Sequence, residues 1–455
     1  FLARFPMILL GILLGFFIYL WSKDLYGDFA GLFSLFLFTF CPNFLGHSCL
    51  VTTDVPFTTF FIITLYYLWK FFEKDNKKYL IFSGVFLGIS ISTKFTGIII
   101  LPFIIILLIL LEIKDNFKKR FKDNFLIFLI SFIVIPFFIL LFTYRIYGFK
   151  NFLLGIKLII FETTQRGHLS FLNGQFSITG WRYYFLFAFL YKTPISFLIL
   201  LFFSIFLSLK IEKKERFLVL PAIIYFIFSS LSKKQIGIRY ILPFYALIYI
   251  YCARIFIYHH KLKLNKIIKN YIFTFLFLWY AFSSLKIHPN YIAYFNEICG
   301  GPENGWKYLI DSNIDWGQDL KGLKKYLQKE GNPEILLNYF GSVLPETYGL
   351  IYEPFFYPLF LNIPQEYYRL NSEFPEKEYL AISVNYLQGL VYNDHKIFDW
   401  LKEIKPKTKI GYSIFVYDIT EDINLRTKIY EMFKKYGFIR QAERQKKIIE
   451  RLKNK

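Results

Sequence analysis

The stretch His47-Ser48-Cys49-Leu50-Val51-Thr52-Thr53-Asp54-Val55-Pro56-Phe57 is a polar interruption between two long apolar runs. Asp54 stands at the lip of the second run, which reads as a membrane helix. A carboxylate there is costly unless it faces water, a metal or a substrate. The plainer reading is an interfacial cap. Thr52 and Thr53 precede Asp54 and Pro56 follows it, a good composition for a helix start. The rest of the chain has to decide between the two.

Of the 455 residues, 55% are hydrophobic and 22% aromatic, with 58 Phe and 35 Tyr. A soluble domain cannot hide that much apolar surface, so most of it must face lipid. The net charge of +21 would suggest nucleic acid in a soluble protein. Here the basic residues cluster in short loops between apolar runs, the pattern of cytoplasmic loops, and no nucleic-acid partner is expected. Cys41, Cys49, Cys252 and Cys299 have no metal or redox spacing, and no disulfide framework is expected. The chain starts with Phe1 almost inside an apolar run. The true N-terminus is therefore expected to be missing or processed.

Ten apolar spans are expected, roughly 5–22, 28–46, 55–71, 79–93, 96–112, 125–144, 190–209, 217–232, 240–258 and 270–286, most near the ~20 residues a bilayer needs. Every second loop is basic. One carries Lys70, Lys74, Lys77 and Lys78. The next carries Lys114, Lys118, Lys119, Arg120 and Lys122. The third carries Lys210, Lys213, Lys214 and Arg216, and the fourth Lys261, Lys263, Lys266 and Lys269. By the Lys/Arg rule these four are cytoplasmic. Residue 1, Asp54 and everything after 286 then lie outside, and at least one helix is expected before residue 1.

The remaining outer loops are Ser92-Thr93-Lys94, the long stretch 145–189 and Ser232–Tyr240. The long stretch holds Glu162, Gln165, Arg166, His168, Asn173, Gln175 and Trp181 and ends in Tyr191-Lys192-Thr193-Pro194. Basic residues tight against outer span ends run against the positive-inside bias. Any single Lys there can snorkel to lipid headgroups. Lys94, Lys192, Lys233, Lys234 and Arg239 all on one side point instead to an anionic ligand.

After 286 the composition changes. Ile335–Phe340, Tyr379–Val384 and Ile410–Asp418 read as strands, Leu320–Lys329 and His395–Lys402 as helices. This alternation predicts a small α/β domain over 287–420. Residues 421–455 carry two charged amphipathic segments split at Gly437, read as a helical tail with a solvated face. The fold class expected is a polytopic α-helical membrane protein, 1–286, with a small extracytoplasmic α/β C-terminal domain.

The ordered motifs resemble the GT-C glycosyltransferases, closest to the dolichyl-phosphate-mannose protein mannosyltransferases and the bacterial lipid A aminoarabinose transferase. The carrying residues are Ala3-Arg4-Phe5-Pro6, Cys41-Pro42, Thr52-Thr53-Asp54-Val55-Pro56, Thr93-Lys94-Phe95-Thr96-Gly97, Lys192-Thr193-Pro194 and Gly237–Pro243. The most specific block runs from His288-Pro289-Asn290-Tyr291 through Glu297 to Asp311-Ser312-Asn313-Ile314-Asp315-Trp316-Gly317-Gln318-Asp319. The resemblance covers about residues 3–420. Members of the group carry an acidic motif in the first outer loop that supplies the catalytic base. This chain starts after that point, so the principal base is expected upstream of Phe1.

The resemblance implies an inverting hexosyl- or pentosyltransferase in the plasma or inner membrane. It would move a mannose-like sugar from a polyprenyl-phosphate donor to a protein or lipid acceptor on the outer face. The departing lipid phosphate needs cations, and Lys94, Arg239, Lys192, Lys233 and Lys234 are the candidates. Asp54 takes the family's second acidic position. It would hold a divalent cation (Mg, Mn or Zn) or orient the acceptor, with His47 and His168 as candidate cation ligands. His168, Gln175, Trp181, Asp311, Asn313, Asp315 and Trp316 are candidates for the acceptor or sugar cavity. For the acidic block the plainer reading is a helix cap with an exposed acidic first turn. The rival class is a polytopic transporter, or a lipid-linked saccharide ligase or flippase without this transfer. A transporter would show repeated halves and charges at mid-bilayer, and neither is visible.

Overall fold

The computed structural model describes residues 2–112, 122–262, 265–356 and 369–454. Lys114, Lys118, Lys119, Arg120 and Lys263, on which two of the basic loops rest, lie outside them. The chain forms two compact units, Phe1–Gly301 and Pro302–Lys455.

The first unit is a helical bundle. It opens with α1 (Phe5–Tyr26), α2 (Asp28–Thr39), α3 (Pro42–Ser48), α4 (Asp54–Lys74) and α5 (Lys77–Thr93). Aromatic edges join α1 to α4, with the Phe17 and Tyr66 centroids 5.5 Å apart. Small polar side chains join α1 to α2. Ser34 Oγ donates to Ser22 Oγ at 2.8 Å, and Ser22 Oγ donates to the Ala30 carbonyl at 3.0 Å. Such groups must bond within the protein, because lipid offers no partner. At Gly84 of α5 a Cβ would sit 2.1 Å from the Ser131 carbonyl oxygen. Only glycine permits that backbone approach.

The ten expected spans fall on helical segments, yet they are not ten straight crossings. Among the described residues four helices are long and apolar enough to cross a membrane: Phe5–Tyr26, Asp54–Lys74, Phe125–Arg145 and Ile238–Lys261. Two bent pairs raise this to six: Asp28–Thr39 with Pro42–Ser48, bent by 65°, and Tyr184–Lys192 with Ile195–Phe206, bent by 113°. Proline causes both breaks. Cys41 and Thr193 adopt extended ψ of 116° and 131° before Pro42 and Pro194, the conformation that the pre-proline clash favours. The expected loop 145–189 is also more ordered than read. The helix running from Ile135 breaks at Arg145 (φ 55°) and resumes as far as Phe161. A hairpin follows, β1 (Ser170–Leu172) with β2 (Gln175–Ser177).

The second unit starts at Pro302, not at 287. Residues before it belong to the bundle: Asn296 Nδ2 donates to the carbonyls of Leu190 (2.5 Å) and Thr193 (2.8 Å). Its strands are β3 (Glu334–Asn338), β4 (Glu353–Pro354), β5 (Glu378–Ser383), β6 (Thr408–Ile410) and β7 (Ile414–Asp418), in the order β4-β3-β5-β7-β6. β4, β3 and β5 are parallel; β7 is antiparallel to β5 and to β6. The single strand read over Ile410–Asp418 is thus split by a turn. Leu320, Leu323 and Leu327 lie on one face of the helix Leu320–Lys329 and pack on Ile335, Leu337, Tyr379 and Val416, the spacing a helix needs to cover a sheet. The helix read over His395–Lys402 is confined to Asp399–Lys402.

The tail is no solvated appendage. Its helices Ile423–Lys435 and Ile439–Lys453 send two arginines inward. Arg426 Nη1 lies 2.9 Å from Glu378 Oε2, and Arg444 reaches Glu378 Oε1 at 2.6 Å and Glu353 Oε2 at 3.3 Å. Arg426, Glu378 and Glu353 are fully buried. Removing one member of such a buried set would strand the others, at a cost of about 3–5 kcal/mol.

Candidate active site

Asp54 is the first residue of α4, and Thr53 takes the capping position without a side-chain bond. The cap reading is therefore not how the carboxylate is used. It turns inward, 2% exposed. Lys94 Nζ lies 2.7 Å from its Oδ1 and Arg239 Nη1 lies 3.2 Å from its Oδ2. Two residues expected to bind phosphate thus converge on the carboxylate expected to assist them.

Each partner is delivered by a break in helical structure. Lys94 follows the end of α5 in an extended conformation. Arg239 lies in the short turn Ile238–Ile241 that leads into the helix Leu242–Cys252. Tyr240 backs both cations, with its ring centroid 4.8 Å from Lys94 Nζ and 5.0 Å from Arg239 Cζ, a favourable seat over an aromatic face. Tyr225 fixes that turn by donating to the Tyr240 carbonyl at 3.0 Å.

The cations edge a cavity of about 450 Å³, lined among others by Thr53, Thr93, Lys94, Thr96, Lys234, Arg239 and Tyr240. Asp54 is not among the lining residues. It stands behind Lys94 and Arg239, whose side chains remain 14% and 18% exposed. Lys234 carries its own counter-charge, Glu162 Oε2 at 2.6 Å. Three cationic side chains, Lys94, Lys234 and Arg239, thus line the cavity beside Thr53, Thr93 and Thr96, their partners Asp54 and Glu162 standing outside the described lining; the Thr93 hydroxyl is already donated to the Ser90 carbonyl at 2.7 Å. Such a lining suits a compact anion, which draws charge-assisted hydrogen bonds.

The other expected phosphate residues are elsewhere. Lys192 is buried, donates to the Ile292 carbonyl at 2.6 Å and lies 4.4 Å from the Phe295 centroid. It fastens the 288–296 segment to the bundle and does not line this cavity. Lys233 supports the loop, donating through Nζ to the Gln165 carbonyl at 3.4 Å and through its backbone N–H to the Thr163 carbonyl at 2.8 Å.

A divalent cation fits poorly at Asp54. Each of its oxygens faces a side-chain cation, and a metal would have to displace them. His47 is buried nearby and His168 is exposed on the 167–169 segment, its Nδ1 3.0 Å from the Leu169 carbonyl. Among the described residues no group of three His, Cys, Asp or Glu could hold a metal ion.

The acidic block belongs to the second unit and faces inward. Among the described residues of that unit no strand precedes it, only short helical turns. Asn313 and Asp315 are buried at 0% and 1% exposure. Asp315 Oδ1 accepts from Gly317 N–H at 2.8 Å, and Asn313 Nδ2 donates to the Ile310 carbonyl at 3.0 Å. Asp311 has φ 58°, and its N–H donates to Asn385 Oδ1 at 2.7 Å. Trp316 Nε1 donates to the Ser312 carbonyl at 3.0 Å. Turn bonds and the contact with Asn385 hold this block; Asn313 and Asp315 lie inside rather than on the expected polar lip, while Asp311 and Trp316 are half-buried. Burial pushes the Asp315 carboxyl well above its ordinary range and Asp319 up to about 6, because a charged carboxylate loses hydration inside the fold. Thr53, Thr96 and Tyr240 line the cavity and are not among the site residues expected from the sequence. Thr53 adjoins Asp54, Tyr240 adjoins Arg239 and Thr96 stands two residues after Lys94, all within quoted motifs, the signal that could have found them.

Residues 1–140 match the sequence model of the dolichyl-phosphate-mannose-protein mannosyltransferase family, a stretch that includes Asp54 and Lys94. The resemblance carried by the short motifs holds over this part of the chain. No curated protein matches the chain. Solved structures are also similar, two of ArnT among them. ArnT from Cupriavidus metallidurans in the apo state has 16% identity and a TM-score of 0.43, over 64% of this chain and 55% of that one. The same organism's ArnT bound to undecaprenyl phosphate has 13% identity and a TM-score of 0.45, over 91% and 83%.

Proposed function

We propose that the chain is a GT-C-type membrane glycosyltransferase. It would move a sugar from a polyprenyl-phosphate donor to a protein or lipid acceptor at the outer membrane face, with inversion. The observation that carries this is the cavity where Lys94 and Arg239 converge over Asp54. The match over residues 1–140 supports it independently. In the transfer, the bond from the sugar's anomeric carbon to the phosphate oxygen breaks and its electron pair stays on the phosphate. The acceptor oxygen bonds to that carbon from the opposite face and gives up its proton to a base. Lys94 and Arg239 would stabilise the growing phosphate charge. Asp54 is a positioning residue: it aims the two cations and balances them until the phosphate arrives. The described lining of the cavity contains no carboxylate, so the base is assigned to none of these residues.

The test is binding of undecaprenyl phosphate to the protein in nanodiscs. Lys94→Ala and Arg239→Ala should each weaken it about tenfold or more, the range of a charge-assisted hydrogen bond. Unchanged binding in both variants would remove the phosphate site.

A further inference from the structure

A second cavity, of about 330 Å³, is lined by Leu172, Asn173, Gln175, Trp181, Tyr183 and Phe187. Its chemistry is the complement of the first. No lining residue is charged. Three aromatic rings supply flat apolar faces, and Asn173 and Gln175 supply amides that can both donate and accept.

The walls are built to hold still. Asn173 and Gly174 join β1 to β2 with φ of 51° and 83°, the two-residue turn whose twist matches a hairpin. The Phe171 and Phe176 centroids, 5.0 Å apart, brace the pair. On the other side, buried Gln235 grips the Trp181 backbone twice: Trp181 N–H donates to Oε1 at 2.8 Å, and Nε2 donates to the Trp181 carbonyl at 2.8 Å. A Cβ on Gly180 (φ 69°) would sit 2.4 Å from that Oε1, so the grip needs glycine there. Gln235 follows Lys234 and precedes Arg239 on the loop that edges the cationic cavity. One loop thus contributes to both sites.

We propose that this second cavity is a subsite for an uncharged sugar ring. Aromatic faces stack on the C–H faces of such rings, amides meet hydroxyls, and an uncharged lining suits a ligand without charge. Prior fixation of the Trp181 backbone by Gln235 lowers the ordering cost of binding. The proposal rests on the glycosyltransferase reading for its biological sense. The ring could be the sugar being transferred or a sugar of the acceptor.

Methyl α-mannopyranoside is the probe, followed by saturation-transfer NMR on the full chain in nanodiscs, free of glycoside detergents. Trp181→Ala and Gln175→Ala should weaken its binding about fivefold or more; Gln175 is exposed on a hairpin, so its variant should fold even if the tryptophan variant does not. Transfer assays then separate the sources. A raised acceptor KM with donor KM unchanged identifies an acceptor sugar, and the reverse identifies the transferred one. Sugar binding lost in the variants of a wild type that transfers nothing would keep the subsite and sink the transferase reading. No binding by the wild type, or binding unchanged in both variants, overturns the subsite whatever the transfer assay shows.

Discussion

Lys94 Nζ meets Asp54 Oδ1 at 2.7 Å across 40 residues of sequence, and Arg239 Nη1 closes on the other oxygen from 185 residues away. The pairing makes one unit of two cations that would otherwise repel. It also sets what substitution there should do.

Asp54→Asn keeps the size and one acceptor oxygen but removes the charge that holds Lys94 and Arg239 together. The two cations can still reach water, so the stability loss should stay near 1–3 kcal/mol. Transfer should fall tenfold or more, about 1.4 kcal/mol of barrier, mainly in kcat. Asp54→Glu should restore part of it. Normal yield with normal transfer would return Asp54 to a structural role.

Chelation addresses the cation expected from the sequence. With side-chain cations at both Asp54 oxygens, EDTA should leave donor binding and transfer unchanged. A loss restored by zinc, manganese or magnesium would place a metal ion in the reaction after all.

Orientation can be read by labelling intact cells with an impermeant thiol reagent, in a Cys49→Ser background. Lys329→Cys, on an exposed position of the second unit, should react. Lys213→Cys, on a basic loop expected inside, should not. The opposite pattern would invert the topology and move the cationic cavity to the cytoplasmic face.

Asp319 should leave a pH signature. Burial raises its folded pKa from 3.8 to about 6, partly offset by hydrogen bonds from Ser413 and Gln318. A carboxyl with a raised folded pKa holds its proton longer in the fold than in the unfolded chain. Its contribution is therefore most favourable below pH 4 and declines as pH rises to about 6. Asp319→Asn should match wild type at pH 4 and melt higher above pH 6, by at most about 3 kcal/mol at 1.4 per pH unit. Thermal melts of the full chain at both ends of that window check it; a difference constant with pH would mean that the carboxyl is already charged throughout.

Much of this was legible in the residues one after another. Apolar runs mark bundle helices because lipid or a tight core must cover them. Pro42 and Pro194 mark candidate bends, since the helical region is disfavoured for the residue before proline; Pro221, inside the helix Arg216–Leu231, shows that the bend itself is decided by packing. The position of Lys94 and Arg239 at outer span ends, against the positive-inside bias, singles them out, but it singles out Lys192, Lys233 and Lys234 equally. Tertiary structure alone decided the rest. Asp54 could cap, bind metal or pair with cations, and only the approach of two distant turns selects among these. Arg426 and Arg444 carry the same amphipathic pattern whether solvated or buried, until Glu353 and Glu378 from β4 and β5 arrive beside them. Asp315 and Asn313 look like a surface lip in sequence; the turn that closes on Gly317 and Ile310 puts them inside. A charge in a sequence states what must be compensated. Its partner is set by long-range packing, which no local pattern encodes.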